Sequence, residues 1–350
     1  MTTRFATLKD LLNHGFDTII DVRSPAEFAE DHVPGAINLP ALNDAQRADV
    51  GTIYVQDTPF NARKVGAGLV ARNVADHLDG PLKDMDGGWQ PLVYCWRGGQ
   101  RSGSFASILS QIGWRAEVLE GGYQSFRNLV HGAVYEDPIP HRLVLLDGNT
   151  GTAKTDILHL LAQRDVQVLD LEGLANHRGS LLGSMTGGQP SQKAFETAVA
   201  CALVRFDPAR PVVVEAESSK VGARIVPPSL WTAMKAAPRI EIEATLDQRA
   251  AYLAEAYADL SKDRNTFATK LEVLRRHRGG LVDGWLAQLN AREFRALAKG
   301  LMENHYDPTY RASRARHGAK VLKAFAAYGL DHSERENLAD QIAGWVAALK

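Results

Sequence analysis

The sequence predicts an α/β protein made of two sheet-bearing units and a helical C-terminal part. Three observations carry that prediction. Residues 16–130 alternate short apolar strands with helical patterns, the sign of a parallel sheet with helices on both faces. The alternation stops at Glu136-Asp137-Pro138-Ile139-Pro140 and then restarts. A proline-rich break of that kind marks a linker. From Leu246 onward the pattern is helical, with arginines and lysines between apolar positions.

In chain order, residues 18–22 form a buried strand, 25–30 a helical turn and 36–39 a short strand. Residues 91–94 form a strand, 102–112 a helix and 116–119 another strand. After the linker, 142–146 is a strand, followed by a glycine-bearing loop and a helix from Lys154. Residues 166–170, 211–215 and 239–244 are further strands. The expected boundaries are 1–137, 138–245 and 246–350.

The chain has 350 residues, with 45% hydrophobic and 23% charged, the composition of an ordinary globular protein. The formal net charge is -1, so a nucleic acid would have to be met by local basic patches. Two cysteines exclude a disulfide framework and suit a reducing compartment. No apolar run reaches the roughly 18 residues of a membrane span. The first ten residues carry early charges and lack a signal-peptide core. A cytoplasmic location without membrane attachment is expected.

After the strand 91–94 comes Cys95-Trp96-Arg97-Gly98-Gly99-Gln100-Arg101-Ser102. Gly98 and Gly99 let the backbone curl, so that successive N–H groups, those of Gln100 and Ser102 included, face inward. Arg97, Arg101 and the following helix N-terminus add positive potential. All of these favour thiolate over thiol. The loop thus suits a nucleophilic cysteine that meets an anionic sulfur, selenium or phosphorus compound. Cys201 lies in an apolar helical pattern and reads as a core residue.

A second loop, Asp147-Gly148-Asn149-Thr150-Gly151-Thr152-Ala153-Lys154-Thr155, joins a strand to a helix. It follows the P-loop pattern with Ala153 in place of the second glycine. The methyl group is expected to crowd the loop or to require an ordinary backbone there. Lys154 would pair with phosphate oxygens, and Thr155 could hold a magnesium ion. No metal ligand set is otherwise evident. Glu215 and Glu217, at the end of strand 211–215, are candidates for an acidic group near the phosphates. Arg275, Arg276 and Arg278, and further on Arg311 and Arg314, form basic clusters suited to RNA phosphates, although a solvated helix face has the same appearance.

Other segments add a resemblance. Asp21-Val22-Arg23-Ser24-Pro25-Ala26-Glu27-Phe28, His32-Val33-Pro34-Gly35, the Cys95 loop and Gly121-Gly122-Tyr123 resemble the rhodanese domain. Here five residues separate Cys95 from Arg101, a longer loop than that of the usual sulfurtransferase. It looks like the loop of cysteine phosphatases and arsenate reductases. His177-Arg178-Gly179-Ser180, Gly187-Gly188-Gln189-Pro190-Ser191-Gln192, Glu217-Ser218-Ser219-Lys220-Val221-Gly222 and His305-Tyr306-Asp307-Pro308-Thr309-Tyr310 extend the match. Over nearly its whole length the chain resembles the bacterial tRNA 2-selenouridine synthases.

The resemblance implies a rhodanese-like α/β domain, a P-loop α/β domain and a helical basic part. It implies geranylation of the sulfur of 2-thiouridine at the tRNA wobble position by geranyl diphosphate. Selenium from selenophosphate then replaces the S-geranyl group. The diphosphate would sit on the loop Gly148 to Thr155. Cys95 would take the selenium as a perselenide, with Arg97 and Arg101 gripping oxygens. His177, Arg178, Ser180, Gln189, Ser191 and Gln192 would form a polar loop near the diphosphate or the modified base. No tightly bound cofactor is implied; magnesium is compatible. Two other readings remain open on residues alone. One is a cysteine phosphatase or arsenate reductase with a nucleotide-binding regulatory domain. The other is a nucleotide-dependent binding module that delivers sulfur to a partner.

Overall fold

The computed structural model describes residues 1–97, 99–179, 183–216, 218–256, 264–311 and 320–349. The chain divides into two compact units. One comprises Met1–Asp137 with Pro190–Arg205, the other Pro138–Gln189 with Phe206–Lys350.

The first unit holds five parallel strands: β1 (Thr2–Thr3), β2 (Thr18–Asp21), β3 (Ile37–Asn38), β4 (Pro91–Tyr94) and β5 (Glu117–Leu119). Their order is β1-β5-β4-β2-β3. β4 is buried along its whole length, as a strand covered on both faces must be. Val93, Phe105, Leu109 and Val74 share its core. Two helices that the strand-and-loop pattern did not reveal, Asp44–Gln56 and Pro59–Asp79, pack as a pair. Their starts are chemically explicit. Asn43 forms a capping box with Gln46, and Thr58 caps a helix with proline in its first turn.

Asp21 and Arg23 are both fully buried. The Arg23 guanidinium donates to Asp21 Oδ2 at 2.6 Å and to the Asp31 carbonyl at 2.6 Å. It also lies 3.9 Å from the Tyr123 ring centroid. Replacing one partner strands the other charge in the core. Arg23→Met is therefore expected to destabilise the unit by about 3–5 kcal/mol. Adding Asp21→Leu is expected to recover much of that loss. Urea unfolding of both variants checks this; equal instability of single and double variants would contradict it.

The helix Gln192–Arg205 was expected in the second domain, yet it belongs to the first unit. The reason lies in buried polar contacts that a strand–helix pattern does not encode. Glu196 pairs with Arg127 and accepts from Tyr135 at 2.6 Å, while Thr197 donates to Asp31 at 3.0 Å. Cys201 is buried in this helix.

The second unit holds β6 (Leu143–Asp147), β7 (Gln167–Leu169), β8 (Val212–Glu215), the short hairpin strands β9 (Lys220–Val221) and β10 (Arg224–Ile225), β11 (Arg239–Glu243) and β12 (Val321–Ala326). The main sheet is parallel, in the order β12-β11-β6-β8-β7. Its central strand, β6, leads into the glycine-bearing loop. Ile157, Leu158 and Leu161 of helix Lys154–Ala162 share a core with Leu338, Ile342 and Val346 of helix His332–Ala347.

β12 corrects the expectation of helix throughout the C-terminal part. Its leucine and alanines do not favour strand locally. The open edge of β11 and the burial of Phe325 beside Ile240 and Ile242 override that preference. Helices Arg264–Val273, Leu281–Asn290 and Phe294–Leu301 gather around Phe267, Leu271, Trp285 and Leu301. Among the described residues, no helix is long and apolar enough to cross a membrane.

Candidate functional site

Cys95 follows the last residue of β4, between the carboxyl ends of β2 and β5. Open parallel sheets place ligand sites at such strand ends. Tyr123 N–H donates to the Cys95 carbonyl at 2.8 Å and Gln124 N–H to that of Trp96 at 3.0 Å. The segment Gly121-Gly122-Tyr123 thereby fixes the start of the loop.

The Cys95 side chain is almost fully covered, at 4% exposure. Its Sγ accepts from the Ser102 hydroxyl at 3.2 Å and from Gly99 N–H at 3.3 Å. Burial pushes the thiol up. Hydrogen bonds from Ser102 and Gly99, together with the Arg101 charge, outweigh it and hold Cys95 below its ordinary value. Gly99 has φ −101°, so its contribution is an N–H aimed at sulfur rather than a left-handed turn. Gly98 lies outside the described residues.

Arg101 donates to Glu27 Oε2 at 2.9 Å. Glu27 also receives Arg47 at 3.1 Å and Ser24 N–H at 3.1 Å. Burial raises the Glu27 carboxyl, but Arg101, Ser24 and Arg47 hold it below the usual carboxylate range. Arg101 is thus braced near the Cys95 sulfur by a carboxylate held below its usual range. Arg97 and Gln100 are exposed.

Loss of the Ser102 hydroxyl removes a hydrogen bond to the thiolate, so the Cys95 pKa rises. Ser102→Ala is expected to move the pH midpoint of iodoacetamide alkylation upward and to slow labelling at neutral pH. An unmoved midpoint would show that the hydroxyl does not support the thiolate.

In the second unit the loop after β6 runs through positive φ at Gly148, Gly151 and Ala153. Gly151 has φ +86°, and a Cβ there would lie 2.9 Å from Leu253 Cδ1 and 3.0 Å from the Arg249 carbonyl. Ala153 keeps the left-handed backbone of the glycine it replaces, φ 57° and ψ 29°, rather than an ordinary one. That costs about 1 kcal/mol. Lys154 Nζ donates to the Gly148 carbonyl at 2.8 Å and lies 5.5 Å from the Tyr310 ring centroid. The Thr155 hydroxyl donates to Glu172 at 2.8 Å. Thr152 closes the loop by donating to the Asn149 carbonyl at 2.9 Å.

Arg249 was not singled out by the sequence. It is 5% exposed, donates to the Thr150 carbonyl at 3.1 Å and pairs with Asp307 at 2.8 Å. The segment His305 to Tyr310 is thereby tied to the phosphate loop. Glu215 is turned into the fold, accepting from Leu171 N–H at 2.8 Å. It is 1% exposed, and burial, then the neighbouring Asp170 charge, push it well above the usual range. Glu217 lies outside the described residues. Glu172, which the sequence pattern did not flag, accepts from Thr155 at this loop.

Above this loop opens a cavity of about 700 Å³. Its lining is mixed: Lys154, Thr155, Asp156, Glu172, Arg178, Glu255 and Arg335 are among the polar residues, and Tyr252, Leu253, Tyr306, Tyr310 and Leu330 among the less polar ones. Among the described residues of the proposed polar loop, only Arg178 lines it. His177 is buried, and burial and the Lys270 charge lower its pKa. Gln189 ties the backbone together, donating to the Ala175 and Val221 carbonyls at 3.1 and 2.9 Å. Ser191 and Gln192 belong to the first unit, bonded to the Glu30 carbonyl and to Glu196. Ser180 lies outside the described residues.

The basic cluster is less available than its sequence suggests. Arg275 pairs with Glu272 at 2.7 Å and Asp283 at 2.9 Å, and Arg278 is half-buried. Arg276 and Arg311 are exposed. Arg314 lies outside the described residues. Among the described residues, no cluster of three or more His, Cys, Asp or Glu groups is arranged to hold a metal ion.

Two family models match separate stretches of the chain. Residues 5–129 match the rhodanese-like domain, and residues 141–280 match the tRNA 2-selenouridine synthase AAA domain. A tRNA 2-selenouridine synthase from Alcanivorax borkumensis is 31% identical over 337 residues, covering 87% of this chain and 91% of that protein. One from Pseudomonas syringae pv. syringae is 32% identical, covering 87% and 90%. One from Shewanella halifaxensis is 35% identical over 246 residues, covering 68% and 65%. The cysteine loop and the phosphate loop fall within the two matched stretches, and the likeness to whole relatives spans both units. The chain is thus an enzyme of the tRNA 2-selenouridine synthase family.

Proposed function

We propose that the protein converts 2-thiouridine at the tRNA wobble position into 2-selenouridine in two steps, each served by one loop. In the first, the thiouridine sulfur attacks the first carbon of geranyl diphosphate. The carbon–oxygen bond breaks and diphosphate departs with its electron pair, while the uridine loses its N3 proton. Lys154 and the loop N–H groups stabilise the charge that develops on the leaving group. In the second, selenium from selenophosphate replaces the S-geranyl group and geranylthiol leaves. The Cys95 loop serves that step.

The observation that carries the first step is the cavity over the phosphate loop. Lys154 and Arg178 in its lining suit a diphosphate, and its tyrosines and leucines suit an isoprenoid chain. Thr155 and Glu172 form a pair of oxygen donors that fits a magnesium ion carried in with phosphates. Such an ion would neutralise leaving-group charge. A nucleoside triphosphate is the competing ligand, because tyrosines also stack on bases. Competition binding separates the two: the proposal expects geranyl diphosphate to displace a fluorescent analogue at lower concentration than ATP does.

The decisive experiment is mass spectrometry of a 2-thiouridine anticodon arm incubated with pure protein. Geranyl diphosphate is supplied first and selenophosphate second. Gain of a geranyl group, then exchange of sulfur for selenium, is the expected sequence. Unmodified RNA at both stages, with nucleotide hydrolysis instead, would favour the regulatory reading.

A further inference from the structure

Electron balance at Cys95 leads away from a perselenide. In selenophosphate the P–Se bonding electrons belong formally to selenium. A thiolate attacking selenium would leave phosphorus two electrons richer, as phosphite. No oxidant is part of the reaction to return it to phosphate. Attack at phosphorus needs none: the S–P bond forms, the P–Se bond breaks, and its electron pair leaves with selenium.

Building on the selenophosphate reading, we propose that Cys95 accepts the phosphoryl group and releases selenium as hydroselenide at the site. Hydroselenide then attacks C2 of the geranylated uridine and geranylthiolate leaves. Water attacks the phosphocysteine, phosphate departs and the thiolate returns. Atoms and electrons balance in each step.

The geometry fits a phosphoryl acceptor. Gly99 N–H reaches Sγ at 3.3 Å, so a loop amide is already aimed at the atom that would carry the phosphoryl group. Arg101 is held beside the loop by Glu27 at 2.9 Å, where it can balance phosphoryl charge. The Ser102 hydroxyl, 3.2 Å from Sγ, supports the thiolate both as attacking group and as the group expelled by water. Proton donation to the leaving group is not required. The monoprotonated donor carries its own proton out on selenium, hydroselenide is a stable anion, and Glu27, the carboxyl paired with Arg101, is held ionised.

The test follows phosphorus and selenium separately. Wild-type protein, selenophosphate and geranylated anticodon arm are monitored by phosphorus NMR, with phosphate as the expected product. The quenched protein is then digested, and label from 32P-selenophosphate is sought on the Cys95 peptide, resistant to dithiothreitol. Ser102→Ala, assayed above the titration of its thiol, is expected to retain more label because breakdown slows.

Phosphite as product, or dithiothreitol-labile selenium on Cys95, would overturn the proposal. So would 2-selenouridine formation with no label on protein in either variant. A separate arm uses p-nitrophenyl phosphate, whose leaving group also needs no acid. Slow hydrolysis is expected, with loss in Cys95→Ser; no hydrolysis and no label from this donor would also reject the phosphoryl-acceptor role. This arm stands even if selenophosphate is not the natural donor, in which case no 2-selenouridine forms at all.

Discussion

Cys95→Ser is expected to leave a protein that geranylates 2-thiouridine at near wild-type rate and forms 2-selenouridine at least about 10³-fold more slowly. Serine can accept the same hydrogen bonds from Gly99 and Ser102, so the fold loses little, about 1 kcal/mol. What disappears is the thiolate, the one strong nucleophile that this loop is shaped to stabilise. Cys201→Ser is the control. That thiol is pushed up to about 11 by burial and lies in a helix core, so selenation should persist. Separate assays of the geranyl gain and the selenium exchange give the readout. Equal loss of both steps in Cys95→Ser would mean that the two loops do not divide the work.

The two candidate loops were legible because a glycine-rich turn at a strand end leaves local marks. A cysteine followed by glycines and two arginines, or a glycine-rich turn closed by lysine and threonine, states its purpose within ten residues. β4 was readable for a similar reason, since a short apolar run flanked by breakers has one clear interpretation. The groups that position those residues were not readable. Glu27 braces Arg101 across 74 positions, and Arg249 reaches Thr150 across 99. Neither spacing has a period to detect. The same limit explains Arg275, whose pairing with Glu272 and Asp283 has no mark in the basic run itself. It also explains helix Gln192–Arg205, which sits within the sequence of one unit and packs in the other.

Lys154→Ala is expected to give the reverse phenotype. Geranyl transfer should fall by about 10²–10³-fold, the scale of losing one preorganised group at a developing anion. Selenation of RNA that already carries the geranyl group should continue. Lys154 now donates to the Gly148 carbonyl, so a diphosphate must draw it from an internal partner. A carbonyl left exposed to the cavity can be hydrated, and the stability cost should stay near 1 kcal/mol. The two variants together make a stronger test than either alone. Mixed Cys95→Ser and Lys154→Ala proteins should restore the full conversion if geranylated tRNA dissociates and rebinds between steps. If the intermediate never leaves, the mixture stays inactive for selenation while each half-reaction, supplied with its own substrate, still runs. Failure of Lys154→Ala on pre-geranylated RNA would instead place the phosphate loop in both steps, since then one cradle would bind the anions of each donor.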